Sequence, residues 1–365
     1  MRVLFFGTYD AGRHPRVRVL QEGLAALGDH VVECNIRLGF ETSTRVRMLR
    51  RPWLAPALAL RMLRTWRRLR RMSAGIPPVD AIVVGYMGHF DVHLARHRWK
   101  HVPVVLDHLT SARETAVDRG VSSRPLLAVL ERIDRSALRA ADVICVDTEE
   151  HLESLPEDVR GRGVVVPVGA ATAWFSPGSS PHGPLLEVVF FGLYTPLQGA
   201  LVIGKAIGLL GDRDDIRFTM VGNGQDYLGT RRAAGHGAPV TWLDWVEPEE
   251  LPSVVARHHV CLGIFGSGPK ALRVVPNKVF QGAAAGCAIV TSDTPPQRRA
   301  LGESAAFVPP GDPGALAEAL GALASSRDRL QALRQAAKRR AEDAFRPPAV
   351  AAFLRERLRN EVLTS

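Results

Sequence analysis

Two stretches decide the fold: MRVLFFGTYDAG at residues 1–12 and VVFFGLYTPLQG at residues 188–199. Each contains a short, unbroken apolar run, Val3–Phe6 and Val188–Phe191, and each run ends on a glycine, Gly7 and Gly192. A run that is apolar at every position marks a strand covered on both faces, as in a parallel sheet flanked by helices. Working outward, the same kind of run recurs at Val31–Cys34, Ala81–Val84, Val102–Leu106, Val143–Val146 and Val164–Val166. After residue 188 it recurs at Phe218–Val221, Val240–Leu243, Val260–Phe265, Ile289–Thr291 and Ala306–Val308. Helical stretches separate the runs. Strand–helix alternation in two series predicts an α/β chain of two doubly wound, Rossmann-like domains. A length of 365 residues suits two domains. Open α/β sheets bind ligands beyond the carboxyl ends of their strands, so two such sheets facing a cleft are expected to place function in the loops that follow strands.

The segment SPGSSPHGP, Ser176–Pro184, has no periodicity and reads as the linker. The expected division is therefore 1–175 and 185–344, followed by a tail at 345–365. In that tail Val350, Phe353, Leu354, Leu358 and Val362 recur at helical spacing, so Ala349–Val362 is an expected helix able to cap either domain. No apolar run approaches the roughly 18 residues that cross a bilayer. The amino terminus reads as a first strand rather than a signal peptide. Cys34, Cys145, Cys261 and Cys287 are far apart and show no metal or disulfide spacing, so they are expected to be reduced core residues of a cytoplasmic protein.

Charge is concentrated. The chain has 47 basic and 37 acidic residues, a net of +10, and Arg45–Met72 alone holds ten arginines and no acid. Arg61, Arg64, Arg68 and Arg71 share one helical face, while Leu58, Met62, Trp66 and Leu69 share another. Two readings stand. One is an amphipathic helix lying on an anionic membrane surface, which makes the protein peripheral at the inner membrane face. The other is a domain helix with its apolar side inward and its arginines solvated. No motif that reads DNA or RNA accompanies the patch, so no nucleic-acid partner is expected.

Four constellations follow strands. Gly7, Gly12 and Arg13 form a turn that admits close backbone approach to a ligand, with the next helix start able to hold an anion. The G-x4-G spacing is not the dinucleotide fingerprint. Asp107 and His108 end the fourth run, where such a pair can position a hydroxyl or take a proton. Lys270, Arg273, Asn277, Lys278 and Gln281 span a glycine-bearing loop and a helix expected to start near Pro276, a setting for phosphate or diphosphate. Gly192, Gln198 and Gly199, with Gly222-Asn223-Gly224 after the next strand, again permit close approach to an anion or a sugar. The plain alternatives are tight turns, a hydrogen-bonded structural histidine and a solvated basic loop. Asp212-Arg213-Asp214 is a D-x-D match in a polar loop between a helix and a strand, and no metal is expected there.

Taken in order, these pieces resemble a glycosyltransferase of the GT-B architecture, closest to family 4 (group 1). The resemblance runs through FFGTYDAGRHPR, ADVICVDTEEHLESL, VVPVGAATAWFSP, VVFFGLYTPLQGALVIGKAI, the VGNG turn, WLDWVEPEELPSVVARHHVCLGIF and VPNKVFQGAAAGCAIVTSD, nearly the whole chain. It implies a hexosyltransferase that takes a nucleotide-diphosphate sugar, bound mainly by the C-terminal domain, and passes the sugar to a hydroxyl acceptor with retention. That acceptor is a lipid-linked, polysaccharide or small-metabolite hydroxyl on the N-terminal side. The resemblance also implies that the last helix crosses back to the N-terminal domain. It implies His108 near the reacting sugar, the donor's own phosphate assisting departure, and no metal or other cofactor. The family's usual cations after the first C-domain strand fall on Leu193 and Gln198, and its paired glutamates fall on Arg273 and Gln281. Lys270, Arg273 and Lys278 are the expected replacement charge, as in a subset with a P-N-K motif. A nucleotide-sugar epimerase and a non-catalytic GT-B protein that binds a membrane or a partner are the competing readings.

Overall fold

The structure, a computed structural model, describes residues 1–12, 14–38, 55–235 and 237–364. Its contacts divide the chain into two compact units, Met1–Pro167 with Pro347–Ser365, and Val168–Arg346.

The first unit contains β1 (Arg2–Gly7), β2 (His30–Asn35), β3 (Ala81–Val84), β4 (Val104–Asp107), β5 (Val143–Val146) and β6 (Gly163–Val165). Among the described residues they form one sheet in the order β2-β1-β3-β4-β5-β6. Every pairing is parallel, with Val3 of β1 opposite Val31 of β2 and Ala81 of β3. The central strands β3, β4 and β5 are buried at every position, which is why their sequence is continuously apolar. The strand order reverses between β1 and β3, so the loops after these two strands diverge to opposite faces.

The second unit contains β7 (Leu186–Phe191), β8 (Ile216–Val221), β9 (Val240–Leu243), β10 (Val260–Leu262), β11 (Ala288–Ser292) and β12 (Ala305–Val308). The order is β12-β11-β10-β7-β8-β9, all parallel. This is the doubly wound dinucleotide-fold order, and its reversal lies between β7 and β10. Strand β10 stops at Leu262; Gly263–Phe265 leave the sheet but remain buried.

The units meet the sequence at other points than the linker. Residues 168–175 go with the second unit, because Trp174 stacks on Phe191 at 5.8 Å and Ala170 donates its N–H to the Phe345 carbonyl. The stretch Ser176–Pro184 therefore runs within that unit. The terminal helix, Pro347–Thr364, lies in the first unit against helix Arg16–Ala26. Gly23 makes that approach close: a Cβ there would lie 2.1 Å from the Pro347 carbonyl oxygen. Asp29 ties the same region together, accepting from the chain's own ammonium at 2.9 Å and from Arg355 at 2.7 Å.

The basic segment is described from residue 55 onward, so Arg45–Leu54 and the side chain of Leu58 lie outside the described residues. Helix Ala55–Met72 turns its apolar stripe inward. Leu69 is fully buried, and Trp66 packs on the core and donates its indole N–H to Asp91 at 2.8 Å. The stripe is thus a packing surface of the unit. Arg64, Arg67, Arg68, Arg70 and Arg71 remain exposed, together with Leu60 and Leu63. No helix among the described residues is long and apolar enough to cross a membrane. All four cysteines are buried and free.

Candidate functional site

The second unit's site is built where its strand order reverses. Strand β7 ends in Phe190 and Phe191, whose rings fill the core, and then turns at Gly192 with φ +140°. A Cβ at Gly192 would sit 3.2 Å from the Lys278 amine. Strand β8 ends in a matching turn at Gly222 (φ +113°), where a Cβ would lie 2.0 Å from the Gly192 carbonyl oxygen. Side chains at both positions would separate the two turns. Asn223 closes its own turn, its side-chain oxygen accepting from the Gly224 N–H at 2.7 Å.

Lys278 reaches this point from helix Asn277–Ala284, which begins after an extended Pro276. Val279, Phe280 and Ala283 anchor the helix in the core, and the same packing carries Lys278 and Gln281 inside, leaving them 4% and 7% exposed. The Lys278 amine donates to the Gln198 side-chain oxygen and stands 3.8 Å from the centre of the Phe190 ring. No carboxylate pairs with it among the described residues. Burial pushes its pKa down from the ordinary 10.5 to about 7. Of the expected donor-side residues, the structure brings together Lys278, Gln198 and Gly192, and of the expected cations Lys278 alone is shown at this point. Arg273 instead donates to the Pro269 carbonyl of its own loop at 3.1 Å, and Lys270 begins the short turn Ala271–Arg273. Asn277 is the half-buried first residue of the helix. The D-x-D match lies in the turn before β8, at the amino ends of the strands, where Arg213 grips Asp215 at 2.6–2.7 Å.

In the first unit, Asp107 and His108 part company, because neighbouring residues of an extended chain point to opposite sides. Asp107 is fully enclosed and paired with Arg16 at 2.7 Å, while Arg16 also donates to the Val166 carbonyl. Burial raises the Asp107 pKa and the guanidinium opposes that rise. The pair bolts the first helix to β4 and the end of β6; this corrects the reading of Asp107 as a group at the reacting centre. His108 turns the other way, its ring 5.6 Å from that of His89. Burial, and then His89, push its pKa down to about 3, so it is neutral at physiological pH.

The turn after β1 holds an anion of the protein's own. Thr8 donates both its N–H (2.8 Å) and its hydroxyl (2.7 Å) to Asp91, and a Cβ at Gly7 would lie 3.0 Å from the same carboxylate. The Thr8 amide and hydroxyl thus answer a carboxylate of the protein itself. Gly12 donates to Asp10 at 3.1 Å, and Arg13 lies outside the described residues.

Residues 186–326 match the family model described as glycosyl transferases group 1. That stretch of the second unit is similar to group 1 glycosyl transferases. No match is found among curated proteins. Among solved structures, the whole chain is similar to sucrose-phosphate synthase from Thermosynechococcus elongatus, with TM-score 0.73 and 16% identity over 100% of this chain and 99% of that one. HepE from Anabaena in complex with UDP-glucose gives 0.67 and 12% over 99% and 100%. The UDP-forming trehalose-phosphate synthase from Burkholderia vietnamiensis gives 0.67 and 14% over 100% and 97%. At these identities the likeness is one of fold: the two sheets are the two Rossmann-like domains of the GT-B architecture.

Sequence reasoning missed Arg16, Asp91, His89, Asp134 and the Asp147–His151 pair. Asp147 and His151 follow β5 immediately, so the strand-end rule applied once more would have found them.

Proposed function

We propose that this protein transfers a hexose from a nucleotide-diphosphate sugar to a hydroxyl acceptor, with retention at the transferred carbon. One observation carries the donor half: a buried lysine amine with no counter-anion among the described residues, at the strand-order reversal of the unit that resembles group 1 glycosyl transferases. An uncompensated buried charge is costly, and a donor diphosphate would supply the missing negative charge. As the sugar departs, charge grows on that diphosphate, and a preformed cation beside it stabilises the growth. Gln198 holds the amine in place, so the cation the family carries after its first strand is here delivered from the helix at 278. Lys270 and Arg273 lie at the loop that covers the same end of the sheet.

We place His108 on the acceptor side as a neutral group that positions a hydroxyl by hydrogen bonding rather than one that carries a proton. With a lysine answering the diphosphate, transfer requires no divalent cation and persists in a chelator. The exposed arginines of helix Ala55–Met72, with Leu60 and Leu63 among them, fit an anionic membrane surface.

The test is a thermal-shift series with UDP, GDP, ADP and TDP, then their sugars. A ligand that binds only the folded state raises the melting temperature. One nucleotide diphosphate is expected to do so in the wild type and to lose the effect in Lys278→Ala. No shift from any of them at millimolar concentration would remove the donor site. Product formed from a donor sugar with no acceptor present would replace transfer by epimerisation.

A further inference from the structure

The surroundings of the Lys278 amine suit a neutral nitrogen better than a cation. An ammonium carries three N–H donors and no acceptor, whereas a neutral amine has two donors and a lone pair. Around Lys278 the structure offers one acceptor, the Gln198 side-chain oxygen, and one aromatic face, that of Phe190 at 3.8 Å. The elements packed on its helix add no negative charge there. Cys261 of β10 is the titratable group that bears on the amine, and burial raises its thiol well above the ordinary 9.0, so it is neutral. Helix Arg327–Ala344 brings Arg334 and Lys338, which donate to the Gly286 and Ala284 carbonyls at the far end of the helix. Strand β11, the turn Thr172–Phe175 and helix Leu251–Ala256 contain no ionisable residue. Strand β7 brings Phe190 and Gly192, while its Glu187 lies at the strand's other end. Burial acts in the same direction, moving the lysine from the ordinary 10.5 to about 7.

There is room for a ligand atom beside this nitrogen. The point where a Cβ on Gly192 would stand is 3.2 Å from the amine. Chain neighbours aside, the next groups are the lysine's own Cε at 3.6 Å and the Gln198 oxygen at 4.0 Å. Gly192 and Gln198 are half-buried and Leu193 is exposed, so the turn reaches solvent. A phosphate oxygen at that point would give the amine the second acceptor it lacks, and its negative charge would favour the ammonium form.

We infer that Lys278 takes up a proton from solvent as the donor diphosphate enters, so that donor binding consumes a proton and weakens as the pH rises above neutrality. This rests on the donor reading above and adds the regulation of that site by pH. The experiment is carbon-13 NMR of the full chain labelled at lysine Cε, whose shift reports the charge on the amine. The chain has five lysines, so the spectrum is sparse, and the resonance lost in Lys278→Met is that of Lys278. Spectra are taken from about pH 6 to 10, alone and with millimolar UDP-glucose, GDP-mannose, ADP-glucose or TDP-glucose. Alone, the Lys278 resonance should titrate within about one unit of pH 7. With one of these donors its midpoint should rise by about one unit or more, a tenfold gain in proton affinity. By linkage, that donor's dissociation constant rises by up to about tenfold per pH unit above the midpoint of the protein alone. An amine still charged at pH 9 without donor, or a midpoint that a bound donor leaves unmoved, overturns the inference. Thermal shifts on the same samples separate it from the donor reading. A donor that stabilises the protein without moving the midpoint sinks the proton uptake and keeps the donor site. No stabilisation by any donor at pH 6, where the amine is charged, removes both.

Discussion

Replacing Lys278 with methionine should make the protein more stable and less able to bind its donor. The amine is 4% exposed and its pKa falls from 10.5 to about 7. Each tenfold change in proton affinity is worth about 1.4 kcal/mol, so holding the charged amine inside costs on the order of 5 kcal/mol at or below neutral pH. The bond to Gln198 and the contact with the Phe190 ring offset roughly 2–4 kcal/mol of this. Lys278→Met removes both sides of that balance and keeps the volume, leaving a net gain of about 1–3 kcal/mol. The sign with pH follows. Because the folded-state pKa is the lower one, the unfolded chain binds more protons between about pH 7 and 10.5. Wild-type stability therefore rises relative to the variant across that window, and the variant's advantage is full below it, shrinks through it and is reversed before its upper end. Urea unfolding of both proteins from pH 6 to 10 measures this, and the UDP thermal shift measures function in parallel. A variant less stable than wild type at pH 7, or an advantage that does not shrink as the pH rises, would refute the reasoning. Either result would mean that the amine is held for the fold rather than for a ligand.

Three further outcomes are expected. Arg16→Ala or Asp107→Asn leaves half of a buried ion pair alone and should cost about 3–5 kcal/mol in urea unfolding; loss of turnover at unchanged stability would return Asp107 to the chemistry. Gly23→Ala, which in a free helix would gain roughly 1 kcal/mol, should instead lower the melting temperature, since its methyl meets the Pro347 carbonyl at 2.1 Å and Ala351 at 2.5 Å. Phosphatidylglycerol vesicles should sediment the wild type at low salt and lose it on changing Arg64, Arg67 and Arg71 to glutamine, each arginine contributing about 1 kcal/mol; equal sedimentation of the two proteins would leave the arginines as an ordinary solvated face.

The architecture was legible because burial on both faces writes itself into the sequence. All twelve expected runs appear as strands among the described residues, the ends shifting by a few residues as at β4 and β10. The helix start at Pro276 was legible for a local reason as well, since proline suits a first helical turn. Boundaries set by packing were not. The proline- and glycine-rich stretch at 176–184 looks like a linker, yet Trp174 and Phe175 before it are buried in the second unit. Helix Ala55–Met72 shows the same limit: its two-faced pattern fits a membrane or a core equally, and the bond from Trp66 to Asp91 turns that face inward.

The candidate site divides along the same line. By itself the sequence determined two doubly wound units, the loops that follow their strands, and a lysine at the start of a core helix, because periodicity and turn chemistry are local. Only the tertiary structure decided which charges are answered. Asp107 finds Arg16 from ninety-one residues away along the chain, Thr8 finds Asp91, and Lys278 finds Gln198 and an aromatic face but no anion among the described residues. A charge's partner depends on distances across the fold that no spacing in the sequence records, and that difference separates a structural bolt from a site that still needs a ligand.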